Sequence, residues 1–410
     1  MRTVTESLAG NLDGRLEGKR VVLGVTGSVS CYKALDLASK LTQAGALVDT
    51  ILSYGATQFV TPLAFRSLTH REVVTDTFDP HSQYTNEHVA LARQADIMVI
   101  APATVHCMAK LAAGLADDPM TTTVIATTAP LLIAPAMDAH MFDHPATQEN
   151  LAKLRQRGVR VAGPAPGRLA SGLIGMGRLL ETPELLGHIA AILGANGDLA
   201  GRTVVISAGG TQEPLDPVRV ITNNSSGKMG YALAEAARDR GANVVLVAAP
   251  NSLPQPPLVN LVPVQTAQQM CDAVLREVAR ADVLIMAAAV ADYRPAGAAA
   301  QKIKKSQDSL HLDLVRTTDI LETARGNFVK VGFSAESENL VANASDKVRR
   351  KNLDLMVAND ITDPDSGFGS DTNRVVLIDR ELRVEELPVL TKYQVSQRIL
   401  DRVVPLLRGP

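Results

Sequence analysis

The sequence of 410 residues lacks tryptophan, and aromatic residues make up only 3% of it. So few aromatic side chains argue against a surface that stacks nucleobases. A net charge of -2 argues against binding to nucleic acid or to a membrane surface. No apolar run reaches the roughly 20 residues that a membrane-spanning helix needs. We therefore expect no nucleic-acid partner and no membrane partner.

Cysteine is scarce as well. Cys31, Cys107 and Cys271 lie far apart and form neither a C-x-x-C pair nor a zinc-binding spacing. Few, scattered cysteines are typical of proteins in a reducing cytosol, so we expect a cytoplasmic protein. Residues 1–18 contain acidic side chains and no apolar core. We therefore expect a loose leader there rather than a signal peptide.

The remaining composition is that of a globular protein, 46% hydrophobic and 20% charged, and it is long enough for two or three domains. The order strand, glycine loop, helix, glycine, strand occurs twice, at Lys19–Ser53 and at Arg202–Ala249. This repetition predicts an α/β fold with two tandem doubly wound, Rossmann-like parallel-sheet domains. The polar, glycine-rich segment 194–198 predicts a boundary between domains 1–197 and 198–410.

Hydrophobic patterns predict the other main elements. Short apolar runs predict further strands at Ile97–Ala101, Pro130–Pro135, Val262–Val264, Val283–Ala287, Phe328–Phe333 and Leu355–Val357. Helical periodicity predicts helices at Pro62–Ser67, Val89–Gln94, Ala103–Ala113, Gln148–Gly158, Glu336–Lys351 and Lys392–Leu407. Residues 375–387 are expected to form a two-stranded segment.

Two Rossmann-like repeats suggest two NAD-binding domains, but the residues argue against this interpretation. Neither glycine loop has the G-x-G-x-x-G spacing, and neither second strand ends in the acidic residue expected to hold a ribose. A tandem nicotinamide-dependent oxidoreductase therefore remains only an alternative.

The long loop after the strand Val204–Ile206 has the chemistry of a phosphate-binding site. Gly209 and Gly210 leave backbone N–H groups unshielded, and a helix begins near Ser226 and Lys228. An ordinary strand-to-helix connection is the simpler interpretation, but such connections usually have about two to six residues. A loop of this length and polarity is more typical of ligand binding.

The segment Leu215–Gly230, LDPVRVITNNSSGKMG, resembles the signature loop of phosphopantothenate–cysteine ligases. In bacteria this ligase is commonly the C-terminal half of a bifunctional coenzyme A biosynthesis protein whose N-terminal half is a flavoprotein decarboxylase. The resemblance extends over nearly the whole chain from Lys19 onward. It implies an N-terminal flavodoxin-like flavoprotein domain and a C-terminal ligase domain.

In the first half, the resemblance implies a site for flavin mononucleotide (FMN) at the ends of the predicted strands. The residues expected to hold FMN are small or carry hydroxyl groups, namely Gly27, Ser28, Ser53, Ala101 and Thr104. Small and hydroxyl-bearing residues beside helix N-termini are also what phosphate binding requires.

The resemblance also assigns the chemistry of the decarboxylase half. His88 corresponds to the family's essential histidine, which can take the proton of a substrate thiol. Asp138 stands where the family has an asparagine that holds the substrate carboxylate, and Met141 follows it in the same substrate-binding motif. Ser171 replaces the catalytic cysteine of many members, in the flexible flap Gly167–Arg178. His140, Ser171 and water remain the alternatives for the final proton transfer.

In the second half, the resemblance implies a CTP site. Its members come from four turns or strand ends and one helix: Met286, Ala287, Ala288, Asp292, Lys302, Thr318, Asp319, Ile320, Leu321, Phe333, Lys347 and Lys351. In the segment Lys302–Lys305, Lys302 and Lys304 should point to the same side of an extended chain, toward phosphates. Solvent-exposed basic residues without a ligand remain the alternative for these lysines.

The implied function is bifunctional. Arg219 and Asn223 are expected to bind the substrate of the ligase, with Asn223 holding an acyl-cytidylate and Lys302 serving catalysis together with Mg²⁺. The product, 4'-phosphopantothenoylcysteine, would then be decarboxylated by the FMN domain. The resemblance also implies a homo-oligomer of ligase dimers and decarboxylase trimers, up to a dodecamer. A non-catalytic regulatory flavoprotein is the second alternative.

Overall fold

Each of the two repeats forms the centre of a parallel sheet. The computed structural model describes residues 14–78, 87–304, 310–336, 338–360 and 369–407. The chain divides into two units, Met1–Leu193 and Gly194–Pro410. Residues 194–197 belong to the second unit. The Gly197 N–H donates to the Gly194 carbonyl at 2.8 Å, and a Cβ added to Gly197 would lie 2.5 Å from the Arg240 carbonyl oxygen.

The sheet of the first unit has the strand order β3-β2-β1-β4-β5-β6 within the described residues, and all of its pairs are parallel. Its strands are β1 (Arg20–Val25), β2 (Leu47–Leu52), β3 (Val73–Val74), β4 (Ile97–Ala103), β5 (Leu131–Pro135) and β6 (Arg160–Val161). A separate antiparallel hairpin consists of β7 (Ala165–Arg168) and β8 (Ile174–Arg178). The helices are α1 (Cys31–Gln43), α2 (Tyr54–Thr57), α3 (Pro62–Thr69), α4 (Glu87–Gln94), α5 (Val105–Ala113), α6 (Pro119–Ala126), α7 (Ala139–Asp143), α8 (Pro145–Gln156) and α9 (Thr182–Leu193).

The second unit has the main-sheet order β13-β12-β9-β14-β17-β18-β20-β21 in the part of the chain that is described. The strands are β9 (Thr203–Ala208), β10 (Gln212–Pro214), β11 (Val220–Thr222), β12 (Asn243–Ala248), β13 (Asn260–Pro263), β14 (Val283–Met286), β15 (Tyr293–Pro295), β16 (Leu314–Arg316), β17 (Val329–Glu336), β18 (Leu355–Asp360), β19 (Thr372–Asn373), β20 (Val375–Asp379), β21 (Val384–Glu386) and β22 (Leu390–Thr391). The helices are α10 (Lys228–Arg238), α11 (Ala267–Val278), α12 (Ile320–Thr323), α13 (Leu340–Lys351) and α14 (Lys392–Leu407).

The prediction of two tandem α/β domains with parallel sheets is confirmed, with one addition. β20 and β21 continue the second sheet in antiparallel orientation, so this sheet is mixed. In both sheets, alternate side chains enter separate apolar clusters on the two faces. Val21 and Leu23 of β1 belong to one cluster and Val22 to the other, because successive residues of a strand point to opposite faces.

Two sequence-based expectations need correction. Within the expected loose leader, Leu16 is only 2% exposed, and its N–H donates to the Ala44 carbonyl at 3.0 Å. Burial of the leucine contributes roughly 1.5–3 kcal/mol, and this bond together with that from the Gly18 N–H to the Gly45 carbonyl attaches residues 14–18 to the sheet domain. The helix predicted from Glu336 begins instead at Leu340, because Glu336 still pairs with β18 as the last residue of β17.

Candidate functional site

The loops that follow β1 and β4 meet at the C-terminal edge of the first sheet. The Thr26 hydroxyl donates to the Pro102 carbonyl at 2.7 Å and accepts the Thr104 N–H at 3.0 Å. The strand order changes direction between β1 and β4, and open α/β sheets bind ligands at such a point. Thr26 therefore fixes the two loops that would enclose a ligand at this edge.

The expected FMN residues lie around the same strand ends. A Cβ on Gly27 would lie 2.7 Å from the Gly55 backbone, so only glycine permits this contact between the loops after β1 and β2. Ser53 and Thr104 cap α2 and α5 with their hydroxyls, and the Ser28 hydroxyl bonds the Ser30 hydroxyl at 2.9 Å. The Ala101 side chain is fully buried, which leaves only its backbone for a ligand.

Asp138 and Ser171 are brought together by the β7–β8 hairpin. The Ser171 hydroxyl donates to Asp138 Oδ2 at 2.5 Å, and Asp138 Oδ1 accepts the His140 N–H at 3.1 Å, as the N-cap of α7. The Ser171 bond, with the His140 amide as the next contribution, lowers the pKa of the Asp138 carboxyl. Met141, in the same helix, is half exposed.

His88 occupies a different place in the first unit. It is the second residue of α4 and is partly exposed. Its side chain lines a small cleft together with Val74, Thr77, Leu91, Pro119 and Thr123. Within the described residues, no hydrogen bond joins His88 to Asp138 or Ser171. The structure thus brings Asp138 and Ser171 together, but it does not join His88 to them.

In the second unit, the loops after β9 and β14 are joined in the same manner. The Thr211 hydroxyl accepts the Ala291 N–H at 2.9 Å, and the Asn223 amide donates to the Ala289 and Val290 carbonyls at 3.3 and 3.2 Å. A Cβ on Gly210 would lie 2.6 Å from the Asn223 carbonyl oxygen. Asn223 is exposed, so its side chain lies at the surface between the two loops.

Asp216 connects the signature loop to the segment that contains the predicted catalytic lysine. Its carboxylate, in a residue that is 4% exposed, accepts from both Nε and Nη2 of Arg219 at 2.9 and 2.6 Å and from the Ile303 N–H at 3.1 Å. Arg219 Nη2 also donates to the Ile303 carbonyl at 2.7 Å. The Arg219 guanidinium holds the pKa of Asp216 well below its usual range.

This arrangement places Lys302 and Lys304 on either side of an anchored Ile303. Both lysines are exposed, whereas Ile303 is partly buried, as expected if the two ammonium groups lie on the opposite side of the chain from Ile303. Lys305 lies outside the described residues.

The other expected phosphate-binding cations face carboxylates. The ion pairs are Lys347 with Glu336 at 2.6 Å and Lys351 with Asp319 at 2.6 Å. Burial alone would raise the pKa of Asp319, but hydrogen bonds from the Lys351 ammonium and the Glu322 amide outweigh burial and lower this pKa. Lys228, at the start of α10, similarly bonds Asp371 at 2.7 Å.

The remaining residues of the expected CTP site differ in exposure. Asp292 and Thr318 are exposed, and Ala287, Ala288 and Phe333 are partly buried. The side chains of three others belong to the apolar core, so only their backbone is available to a nucleotide; these are Met286, Ile320 and Leu321.

Sequence reasoning missed the carboxylates that position the cations. Asp216 could have been found from the D-P-V-R segment, because aspartate before proline commonly accepts backbone N–H groups of a turn. Its N–H bonds to Val218 and Arg219, both 2.8 Å, have this pattern. Asp371 and Glu336 have no comparable local signal in the sequence. The partner of Asp371, Lys228, is far away along the chain, and the partner of Glu336, Lys347, lies on another element.

The fold and these loops define a protein of two α/β units, each with polar and glycine-rich loops at the C-terminal ends of its parallel strands. Residues 10–194 match the family described as "Flavoprotein", and residues 199–406 match "DNA/pantothenate metabolism flavoprotein C-terminal domain". The chain therefore belongs to the family of bifunctional coenzyme A biosynthesis proteins, as its similarity to full-length relatives also shows.

Two of these relatives are named "Coenzyme A biosynthesis bifunctional protein CoaBC". The protein of Bacillus subtilis (strain 168) is 44% identical over 398 residues, which cover 95% of this chain and 98% of the relative. The protein of Vibrio vulnificus (strain YJ016) is 40% identical, with 96% and 99% covered. A crystal structure of the C-terminal domain of such a protein is 39% identical, with a TM-score of 0.45, and covers 52% of this chain and all of that domain.

The predicted function as a bifunctional ligase and decarboxylase of coenzyme A biosynthesis is thereby confirmed. These matches support neither the nicotinamide oxidoreductase nor the regulatory flavoprotein. None of the helices in the described ranges combines the length and hydropathy needed to cross a bilayer. Groups of three or more metal-binding side chains are also absent from the described residues.

Proposed function

We propose that the second unit joins cysteine to 4'-phosphopantothenate with CTP and Mg²⁺, and that the first unit decarboxylates the product with FMN. The observation that supports the ligase assignment is the connection of the signature loop to Ile303 through Asp216 and Arg219. This connection attaches the segment that contains Lys302 to the loop that contains Asn223, and these are the two residues that we assign to catalysis.

In the proposed ligase reaction, the carboxylate of phosphopantothenate attacks the α-phosphate of CTP and displaces pyrophosphate. The amine of cysteine then attacks the acyl carbon and displaces CMP. Lys302 is exposed and can neutralise charge that develops on the α-phosphate. The Asn223 N–H₂ donates to the Ala289 and Val290 carbonyls, which fixes the side chain and leaves its Oδ1 as the group that can contact the acyl-cytidylate and the attacking amine.

Binding of CTP would require an exchange of partners. Lys347 and Lys351 have to leave, or share, the carboxylates of Glu336 and Asp319 before they can contact phosphates. Mg²⁺ is typically held by substrate phosphates and one or two carboxylates, and the expected CTP residues include the acidic Asp292 and Asp319, with Glu336 paired to Lys347. Arg219 is already bonded to Asp216 and Ile303, so we assign it to loop positioning as well as to substrate binding.

In the first unit, the residues at the strand ends fit the phosphate of FMN. Gly27 leaves no side chain between the loops, and the N-cap of the 13-residue α1 has no side-chain bond to its N–H groups. Bound flavin would supply the oxidation and re-reduction of the cysteinyl group that make loss of carbon dioxide possible. His88 would accept the thiol proton.

Asp138 fits the family's asparagine role poorly. An aspartate is ionised at neutral pH, and the Ser171 hydrogen bond lowers the pKa of Asp138 further, so its anion repels the substrate carboxylate that the asparagine is expected to hold. We therefore propose that other groups of the loop that contains Asp138 hold the substrate carboxylate, and that Met141 contacts the substrate.

We place the protein in the cytoplasm as a homo-oligomer, in which ligase units pair and decarboxylase units form trimers, up to a dodecamer. Sedimentation analysis of the purified protein tests the oligomer.

The two activities can be tested in one reaction. Incubation with phosphopantothenate, cysteine, CTP and Mg²⁺ should give two successive mass changes, ligation and then loss of carbon dioxide. Lys302→Ala should slow ligation by about 100-fold or more and leave decarboxylation of supplied 4'-phosphopantothenoylcysteine unchanged. His88→Asn should do the reverse, by roughly 100- to 10,000-fold. If either variant leaves its assigned reaction unchanged, that residue is removed from the mechanism.

A further inference from the structure

Two residues that differ from those implied by the resemblance to the decarboxylase family contact each other. Asp138 replaces an expected asparagine and Ser171 an expected cysteine, and the Ser171 hydroxyl donates to Asp138 Oδ2 at 2.5 Å. This is the only side chain–side chain bond between residues 169–173 and residues 135–141 in the described part of the chain. The two residues should therefore be considered together.

The hairpin that carries Ser171 is docked on the Asp138 loop at two further points. The Met137 N–H donates to the Gly177 carbonyl at 3.0 Å. A Cβ added to Gly177 would overlap the Met137 carbonyl oxygen, and one added to Gly175 would lie 2.8 Å from the Ala139 Cβ. These contacts fix β8, whereas the turn at 170–173 is exposed and is attached to the loop through Ser171.

The direction of the hydrogen bond limits what Ser171 can do. A carboxylate only accepts hydrogen bonds, so the hydroxyl hydrogen of Ser171 is directed at Asp138 and not at a substrate. Loss of that proton to a substrate would leave an alkoxide next to a carboxylate, and two adjacent negative charges strongly disfavour this state. Ser171 is thus poorly suited to be a proton donor.

We propose that Asp138 and Ser171 are a positioning pair that holds the hairpin tip on the substrate loop, and that the final proton of decarboxylation comes from another group. Asp138 receives the hydroxyl hydrogen on Oδ2 and fixes α7 through the His140 N–H on Oδ1. Where the resemblance implies a catalytic cysteine, this chain thus has a hydroxyl that attaches the hairpin tip to the Asp138 loop. This inference rests on the proposed decarboxylase function, because a closed hairpin matters only where a substrate binds beneath it.

The test uses the full-length, flavin-loaded protein and two independent measurements. Hydrogen–deuterium exchange of peptides from 165–178 should become about 10-fold faster in Ser171→Ala and in Asp138→Ala, the factor expected when a hydrogen bond to a charged group is lost. The double variant should show no further increase, since both substitutions remove the same bond. Ser171→Thr retains the hydroxyl and should retain slow exchange.

Steady-state decarboxylation separates positioning from proton donation. Ser171→Ala should raise KM about 10-fold and change kcat by less than about 5-fold, because positioning acts on substrate binding. Ser67→Ala is a matched control, since the exposed Ser67 hydroxyl donates only to the Leu63 carbonyl at 2.8 Å in α3. It should change neither exchange at 165–178 nor kinetics.

Two results would overturn the proposal. One is unaltered exchange in both single variants, and the other is a turnover rate that falls about 100-fold or more in Ser171→Ala while KM stays unchanged. Absence of decarboxylation in the unmodified protein would instead refute the proposed function, and the exchange measurement would still decide whether the pair holds the hairpin.

Discussion

At the scale of single residues, Lys392 is a buried lysine of the ligase unit whose pKa depends on its surroundings. It is 9% exposed, at the start of α14, and its ammonium donates to the Ser370 carbonyl. Burial, and to a lesser extent the charge of Lys228, lower its pKa from 10.5 to about 8, and the opposing effect of Asp371 is included in this value. The folded protein therefore holds this proton less tightly than the unfolded chain does.

The consequence is a stability that rises with pH. Between pH 8 and about 10.5 the unfolded chain binds more protons at Lys392 than the folded protein, so the free energy of unfolding increases across this range. Relative to the Lys392→Met variant, the free energy of unfolding of the unmodified protein should increase by about 1–2 kcal/mol between pH 7 and pH 10. This is less than the whole pKa shift corresponds to, because the lysine retains some solvent contact. Urea unfolding monitored by circular dichroism measures the difference.

Lys153→Met provides the control, because Lys153 is an exposed lysine of α8 and its removal should leave the pH profile unchanged. A constant difference between the Lys392→Met variant and the unmodified protein from pH 7 to pH 10 would contradict the assignment.

At the scale of elements, the proposed ligase site requires that the signature loop, residues 215–230, is fixed to the segment around Ile303. The Asp216 carboxylate makes that connection with both oxygens in use: Oδ1 for the Val218 and Arg219 N–H groups, Oδ2 for the Arg219 side chain and Ile303. An asparagine amide would present a donor where one oxygen now accepts, and donors would then face each other.

We expect Asp216→Asn to release the segment that contains Lys302. The KM of ligation for CTP should rise about 10-fold or more, because Lys302 would lose its fixed position relative to Asn223. Decarboxylation of supplied substrate should not change. Initial rates of CMP release measure the effect, and circular dichroism verifies that the variant is folded.

Asp346→Asn is the matched control, since the Asp346 side chain is 81% exposed and its ion pair with Arg349 is long, at 3.8 Å. Equal effects of both substitutions on ligation would show that Asp216 has no special part in positioning.

Some elements of the fold could be predicted from the sequence, and others could not. The parallel strands were predictable, since runs such as Val204–Ile206 are buried on both faces and carry a strong apolar signal. The pairs β15–β16 and β7–β8 were not, because these strands are short, largely exposed and lack a hydrophobic period. α8 begins at Pro145, three residues before the predicted start at Gln148. Its start is set by the proline and by the His144 cap, and hydrophobic periodicity does not detect either of them.

Part of each candidate site could likewise be predicted from the sequence. Glycine and hydroxyl residues at strand ends, such as Gly27 and Gly210, were predictable because a sharp turn needs them wherever the chain leaves the sheet. The bond between Ser171 and Asp138 was not, since 33 positions separate the two residues and nothing in either motif specifies the other. Partners of this kind depend on tertiary structure rather than on local sequence.

For the whole molecule, the division between Leu193 and Gly194 separates two sets of apolar clusters. Within the described residues, two clusters contain only residues of the first unit and two contain only residues of the second. A unit with its own core on both faces of its sheet has what it needs to fold independently. The ligase activity should therefore not require the flavoprotein unit.

We expect a fragment of residues 194–410 to fold and to ligate cysteine to phosphopantothenate at a turnover rate within about 5-fold of the full chain's, because Asn223, Asp216 and Lys302 all lie within it. A single cooperative thermal transition by circular dichroism and mass spectrometry of the product are the measurements. The same fragment with Lys302→Ala should fold equally well and be inactive. A fragment that is folded but inactive without the substitution would show that the first unit contributes to the ligase site, and an unfolded fragment would show that the second unit needs the first for stability.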